Sequence, residues 1–278
     1  MGVPYAEVIG DPIPYAEVIG DPIAHSKSPT IHKFWLERLG MAGDYQSTRV
    51  TSGELADFLS ARRADPDWRG CNVSMPHKLV VAPLLDHLDP PSRRIGAINT
   101  IVKRDGQLSG TNTDWQGLNL ALGDYSASGK DTVLIGAGGA ARAALEELRQ
   151  AKPSSLVILN RDTGKATRLM EEFGFKGEAL SLGMLPAADL LINASSLGMA
   201  GYPPLDIDLS PLRRGGVVVD MVYYPLETAL LRKARSQGLI AVDGLKMLIG
   251  QAAMAFTYFF GEPPSEPDSP ELRELLTQ

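Results

Sequence analysis

The chain has 278 residues, a length that suits two domains of roughly 100–150 residues each. Hydrophobic residues make up 44% and charged residues 22%, an ordinary globular balance, and a net charge of −6 argues against a nucleic-acid partner, which needs a basic face. A single cysteine, Cys71, excludes an intrachain disulfide and a multi-cysteine zinc site.

The four histidines (His25, His32, His77, His87) match no common metal-ligand spacing, so no metal is expected. Nothing near the N-terminus reads as a signal peptide, and no apolar run reaches the roughly 18 residues of a membrane span. These features lead us to expect a cytoplasmic protein with no membrane partner, a monomer or a homodimer.

In chain order the first feature is a repeat, Pro4–Ile13 recurring as Pro14–Ile23. Each copy reads as a short strand followed by a Gly-Asp-Pro turn. Only the second runs on into His25-Ser-Lys-Ser-Pro29, so residues 1–13 are expected to be an extension. Helical spacing follows over Thr30–Leu39, alternation over Tyr45–Val50, and a serine-started helix over Ser52–Ala61. Gly70–Ser74 reads as a strand, after which Met75-Pro-His-Lys78 opens a helix, and Arg104-Asp-Gly106 joins Ala97–Lys103 to Gln107–Gly110 as a hairpin. Strands alternating with helices predict a parallel sheet with crossovers.

From Thr132 the pattern is regular: strands at Thr132–Ile135, Ser155–Asn160, Leu190–Asn193, Val217–Asp220 and Ile240–Asp243, with helices at Ala140–Gln150, Ala166–Glu172 and Thr228–Ser236. Gly244–Phe260 reads as one long helix and Glu271–Leu276 as a terminal one.

Gly136-x-Gly138-x-x-Ala141 sits between a strand and a helix. The first glycine permits a tight turn, the second lets the backbone approach a pyrophosphate, and the small sixth residue packs helix on strand. The helix N-terminus then offers free N–H groups to the phosphates. A Rossmann-type unit binding a dinucleotide is therefore expected. The next strand ends in Asn160-Arg161 where NAD enzymes place an acid, so Arg161, with Lys165 a turn later, suits the 2′-phosphate of NADP. Asp162 sets a negative charge beside that phosphate and leaves NAD open.

The first half carries four polar clusters: His25-Ser-Lys-Ser28, Asn72-Val-Ser-Met-Pro-His-Lys78, Gly96-Ala-Ile-Asn-Thr100 and Gly110-Thr-Asn-Thr-Asp114. Lys78 stands at an expected helix N-terminus, where a positive charge is unfavourable and a function is the better explanation. Together with Gly136-Ala-Gly-Gly-Ala140, Asn160-Arg161, Asn193-Ala-Ser-Ser-x-Gly-Met199, Asp220-Met-Val-Tyr223 and Gly244-x-x-Met-Leu-x-x-Gln251, these clusters resemble the shikimate dehydrogenase family, in its order and over residues 15–260.

The resemblance implies reversible hydride transfer between shikimate and NADP, giving 3-dehydroshikimate. It implies that Ser26 and Ser28 hold the substrate carboxylate, and that Ser74, Asn99, Asp114, Tyr223 and Gln251 contact the substrate. Lys78 would be the acid/base, paired with Asp114. The cofactor would meet Gly136, Ala137, Gly138, Gly139, Ala140, Asn160, Arg161, Lys165, Met221 and Gly244. Ser74 replaces the family's usual threonine and keeps the hydroxyl; Asp162 also replaces a threonine.

The expected architecture is α/β: a substrate domain over residues 1–113, a dinucleotide domain over 114–244, a cleft between them, and helices over 245–278 returning to the first domain. Two other readings stay open, a shikimate/quinate dehydrogenase tolerant of NAD and a catalytically silent nucleotide-binding regulator. The presence of both Lys78 and Asp114 weighs against the second.

Overall fold

The computed structural model describes residues 13–24 and 26–277. The first copy of the repeat, apart from Ile13, falls outside the described residues, and with it the expected extension. The second copy forms β1 (Tyr15–Gly20), whose last five residues are buried.

Then follow α1 (Ser28–Arg38), β2 (Asp44–Arg49), α2 (Leu55–Ala64), β3 (Trp68–Val73), β4 (His87–Leu88), α3 (Pro90–Ile95), β5 (Thr100–Arg104) and β6 (Gln107–Thr111). These strands form one sheet in the order β2-β1-β3-β5-β6-β4. β1 pairs in parallel with β2 and β3, whereas β5 runs antiparallel to both β3 and β6. The sheet is therefore mixed, not purely parallel as the alternation of elements predicts. The cause is the hairpin turn, where Asp105 (φ 52°) and Gly106 (φ 73°) both take left-handed backbone and fold β6 straight back on β5.

Two helices depart from their predicted form. α2 begins at Leu55, three residues past the expected Ser52, because Glu54 bonds back to the Thr51 amide and hydroxyl and holds the preceding turn. At Met75–Lys78 the chain makes only a three-residue 3-10 turn, His77–Leu79, so no helix dipole bears on Lys78.

The second half contains α4 (Asp114–Leu122), β7 (Asp131–Ile135), α5 (Gly139–Ala151), β8 (Ser155–Leu159), α6 (Thr163–Glu172), β9 (Glu178–Leu180), β10 (Ala188–Asn193), β11 (Leu212–Asp220), α7 (Ala229–Ser236), β12 (Ile240–Val242), α8 (Gly244–Phe260) and α9 (Pro270–Thr277). Its sheet has the order β12-β11-β10-β7-β8-β9 with every pairing parallel. That is the doubly wound arrangement, with the reversal of strand order between β7 and β10. Leu134, Ile158, Leu190 and Ile192 face one helical layer, and Val133, Ile135, Leu191 and Val218 face the other.

α8 joins the halves. Its Leu245, Ile249, Ala252 and Phe256 pack with Ile31 and Trp35 of α1 and Leu272 of α9. Its other side lies against α4, where a Cβ on Gly117 would come within 2.7 Å of the Met247 carbonyl oxygen and the Gln251 amide nitrogen. Gly117 is thus required for the two helices to touch backbone to backbone.

Candidate active site

The polar clusters of the first half meet at one edge of the mixed sheet. Because β1 and β3 run together and β5 runs against them, the ends of β1, β3 and β6 and the start of β5 all lie on that edge. Ser26 and Ser28 follow β1, Ser74 and Lys78 follow β3, Asn99 precedes β5, and Asp114 follows β6.

Lys78 Nζ lies 3.0 Å from Asp114 Oδ2, with both side chains partly exposed. The backbone secures each partner. The Lys78 carbonyl accepts from the Ile98 amide at 2.8 Å, and the Asp114 amide donates to Asn112 Oδ1 at 3.0 Å. Asp114 is also the first residue of α4, where its negative charge suits the helix N-terminus.

Asn99 Nδ2 donates to Asp114 Oδ1 at 2.8 Å, and its Oδ1 accepts the Thr113 amide at 2.7 Å. Gln251, reaching in from α8, has its Oε1 3.4 Å from Thr113 Oγ1 and 3.5 Å from Asn99 Nδ2. Lys78, Asp114, Asn99 and Gln251 therefore form one connected cluster. Ser26 and Ser28 are half-buried and joined by a 3.3 Å bond from the Ser28 amide to Ser26 Oγ. The Ser74 amide bonds the Ile19 carbonyl at 2.8 Å, which sets its side chain beside Gly20.

The expected cofactor residues gather along the carboxyl ends of β7, β8, β11 and β12. Gly136 has φ 106°, and a Cβ there would meet the Ala194 carbonyl oxygen at 3.0 Å, so only glycine passes under the β10 loop. Gly138, Gly139 and Ala140 are exposed, and space is open above both glycines. Gly138 caps α5 without a side chain to bond, which leaves the first-turn N–H groups for an anion. This cradle fits a pyrophosphate. Asn160, Arg161 and Lys165 lie past β8; Arg161 and Lys165 are exposed and form no ion pair with a described residue. Met221 is half-buried, its amide bonded to the Asn193 carbonyl at 3.0 Å, and Gly244 begins α8.

Gly244 and Gln251 lie seven residues apart on α8, about 10 Å by the helical rise. One helix thus starts among the cofactor candidates and two turns later reaches the Lys78 cluster. Tyr223 is not drawn into that cluster: it is 49% exposed beyond β11 and makes no side-chain hydrogen bond with a described residue.

Sequence reasoning missed five members of the network: Tyr45, Asn72, Thr100, Asn112 and Thr113. The last four sit inside the polar motifs, beside Ser74, Asn99 and Asp114, and that adjacency was the available signal. Tyr45 looks like any inward residue of an alternating strand.

Among described residues no helix is long and apolar enough to cross a membrane, and no group of three or more His, Cys, Asp or Glu could hold a metal. Residues 18–101 match the family model for the shikimate dehydrogenase substrate binding domain, and residues 119–197 match that for shikimate / quinate 5-dehydrogenase. A shikimate dehydrogenase (NADP(+)) of Sphingopyxis alaskensis is 55% identical, the alignment covering 98% of this chain and 97% of that one. The ligand-free 5-ketofructose reductase of Gluconobacter sp. strain CHM43 superposes with a TM-score of 0.89 at 31% identity, over 96% of this chain and 99% of that one. The shikimate 5-dehydrogenase of Thermus thermophilus, in complex with NADP(H) and shikimate, gives 0.84 at 35% identity, over 95% and 98%. With such identity along nearly its whole length, and with both halves matched by the family's models, the chain belongs to the shikimate dehydrogenase family.

Proposed function

We propose that the protein is an NADP-dependent shikimate dehydrogenase, interconverting shikimate and 3-dehydroshikimate. The observation that carries this reading is the Lys78–Asp114 pair at 3.0 Å, held by Asn99, which Gln251 reaches from two helical turns past Gly244 on α8.

When bound, NADP supplies the acceptor for the hydride that leaves the ring carbon. The Lys78 amine takes the hydroxyl proton as that hydride leaves and returns it in the reverse reaction. Asp114 aims the amine and accepts from a substrate hydroxyl; Asn99, Ser74, Gln251 and Tyr223 contact the remaining substrate oxygens. Ser26 and Ser28 donate to the carboxylate, a role that favours a ring acid over a neutral ketose. Gly136, Ala137, Gly138, Gly139 and Ala140 cradle the pyrophosphate, Asn160, Arg161 and Lys165 take the phosphorylated ribose, and Met221 and Gly244 border the nicotinamide. Residues 14–113 then serve the substrate and 114–244 the cofactor, with the helices of 245–278 completing the first. A lone buried thiol, Cys71, suits the reducing cytoplasm.

The test is NADP reduction by the purified protein with shikimate, with quinate and NAD as comparison arms and 5-ketofructose reduction as a control. Turnover fastest with shikimate and NADP is expected. Turnover only with quinate or 5-ketofructose, or equal efficiency with NAD, overturns the assignment.

A further inference from the structure

Tyr45 is fully buried in β2, and a buried phenol needs a hydrogen-bond partner. It donates to Asn72 Oδ1 at 2.6 Å. Its ring lies parallel to that of His32, with centroids 3.9 Å apart and 10° between planes, and Phe259 closes in at 6.3 Å. These contacts leave the phenol one position.

From Asn72 the bonds continue to the Lys78 cluster. Asn72 Nδ2 donates to Thr100 Oγ1 at 3.0 Å, and Thr100 Oγ1 donates to Asn99 Oδ1 at 3.0 Å. Asn99 Nδ2 donates to Asp114 Oδ1 at 2.8 Å, and Asp114 Oδ2 takes Lys78. Every bond from Tyr45 to Asp114 has its donor on the Tyr45 side.

Two main-chain groups fix that direction. The Asn99 carbonyl lies 3.3 Å from Asn72 Nδ2, so a reversed Asn72 amide would set oxygen against oxygen. The Thr113 amide donates to Asn99 Oδ1 and holds that amide in the same way. Asn72 therefore turns its carbonyl to Tyr45, which must donate.

We propose that Tyr45 is a positioning residue for the substrate site, orienting, through Asn72 and Thr100, the Asn99 amide that holds Asp114. This rests on the functional reading above. Tyr45 never touches the substrate; it acts on the reacting end through the bonds that finish at Asp114.

The test is steady-state kinetics of Tyr45→Phe with shikimate and NADP. The KM for shikimate is expected to rise about tenfold, the effect of roughly one lost hydrogen bond, with the KM for NADP within about twofold of wild type. A merely structural loss lowers the active fraction, and so kcat, while both KM values stay put. Thr100→Val breaks the same chain and should raise the shikimate KM likewise, whereas Thr100→Ser should restore it. In the double variant the two effects should fall short of their product. An unchanged shikimate KM in Tyr45→Phe, or in Thr100→Val should the first variant fail to fold, overturns the inference, as do effects that multiply. A wild type inactive on shikimate overturns the functional reading and this inference with it, so the two failures are distinguishable.

Discussion

Asp162 Oδ1 accepts the main-chain amide of Lys165 at 2.9 Å, so the carboxylate next to Arg161 is the N-cap of α6. The Asn160 side chain adds a bond to the Asp162 carbonyl at 2.8 Å. The acid that keeps NAD open in the sequence thus has a structural task, while Arg161 and Lys165 pair with no acid among the described residues and are exposed to meet a phosphate. Arg161→Ala is expected to raise the KM for NADP by about ten- to a hundredfold, as charge-assisted bonds to a phosphate are lost, and to leave NAD kinetics nearly unchanged. Asp162→Asn keeps the cap, removes the charge, and should sharpen NADP preference a few-fold. Paired rate measurements with both nucleotides check this; equal losses with the two would place Arg161 away from the 2′-phosphate.

Lys78→Ala is expected to lower kcat by about a hundredfold or more, the usual range for a lost acid/base group, with little change in KM for NADP. Lys78→Arg should be as slow, because a guanidinium does not release its proton. The Lys78 side chain is one-third exposed, so thermal unfolding of both variants should stay close to wild type. Turnover within a few-fold of wild type would remove Lys78 from the chemistry.

Much of this site is legible in the chain because its motifs are local. The Gly136 turn opens α5 in the expected place, and α8 spans the residues that its apolar periodicity marks. What the sequence hides is long-range or short-lived. Lys78 and Asp114 are 36 residues apart, and no spacing rule joins the end of one strand to the start of a helix beyond a hairpin. The 3-10 turn at His77 ends after three residues because the Lys78 carbonyl bonds Ile98 instead of continuing a helix. α3 escapes notice behind Pro90-Pro91, although Asp89 Oδ1 accepting the Ser92 amide at 2.7 Å is an ordinary N-cap with proline in the first turn. α4 is masked by Gly117, which serves the α8 contact and not helix propensity.

His32 makes stability pH-dependent. It is fully buried among the rings of Trp35, Tyr45, Phe256 and Phe259, neither ring nitrogen has a partner among the described residues, and burial drives its pKa down from 6.5 to about 3. The unfolded chain takes up a proton below pH 6.5 that the fold refuses, so stability is complete above that pH and declines as pH falls towards 3. Between pH 6.5 and 4.5 the loss from this group should be on the order of 2 kcal/mol. Denaturant melts of wild type and His32→Leu across that interval check it: the stability difference between them should shift towards the variant as pH falls. A constant difference would show that His32 does not titrate with folding.

Arg94 and Glu146 lock α3 of the first half onto α5 of the second. Glu146 is fully buried and receives Arg94 through both oxygens, at 2.8 and 3.0 Å, with Arg149 beside it at 2.8 Å. Arg142 of α5 donates in turn to the carbonyls of Arg94 and Ile95 at the end of α3, and Asn99 follows a few residues later. Burial alone would raise the Glu146 carboxyl; the bonds from Arg94 and Arg149 outweigh it and bring the pKa to about 2. The carboxylate is thus charged in the fold at any pH above that, and its contribution is full above about 4.5 and lost as pH falls towards 2. Arg94→Ala should cost about 1–2 kcal/mol near neutrality, the scale of hydrogen bonds to a charged group. Combined with Glu146→Gln, a double-mutant cycle should give a coupling of about 1 kcal/mol that shrinks below pH 4.5. Additive losses, or a coupling that does not change with pH, would mean that the two helices are held by packing alone.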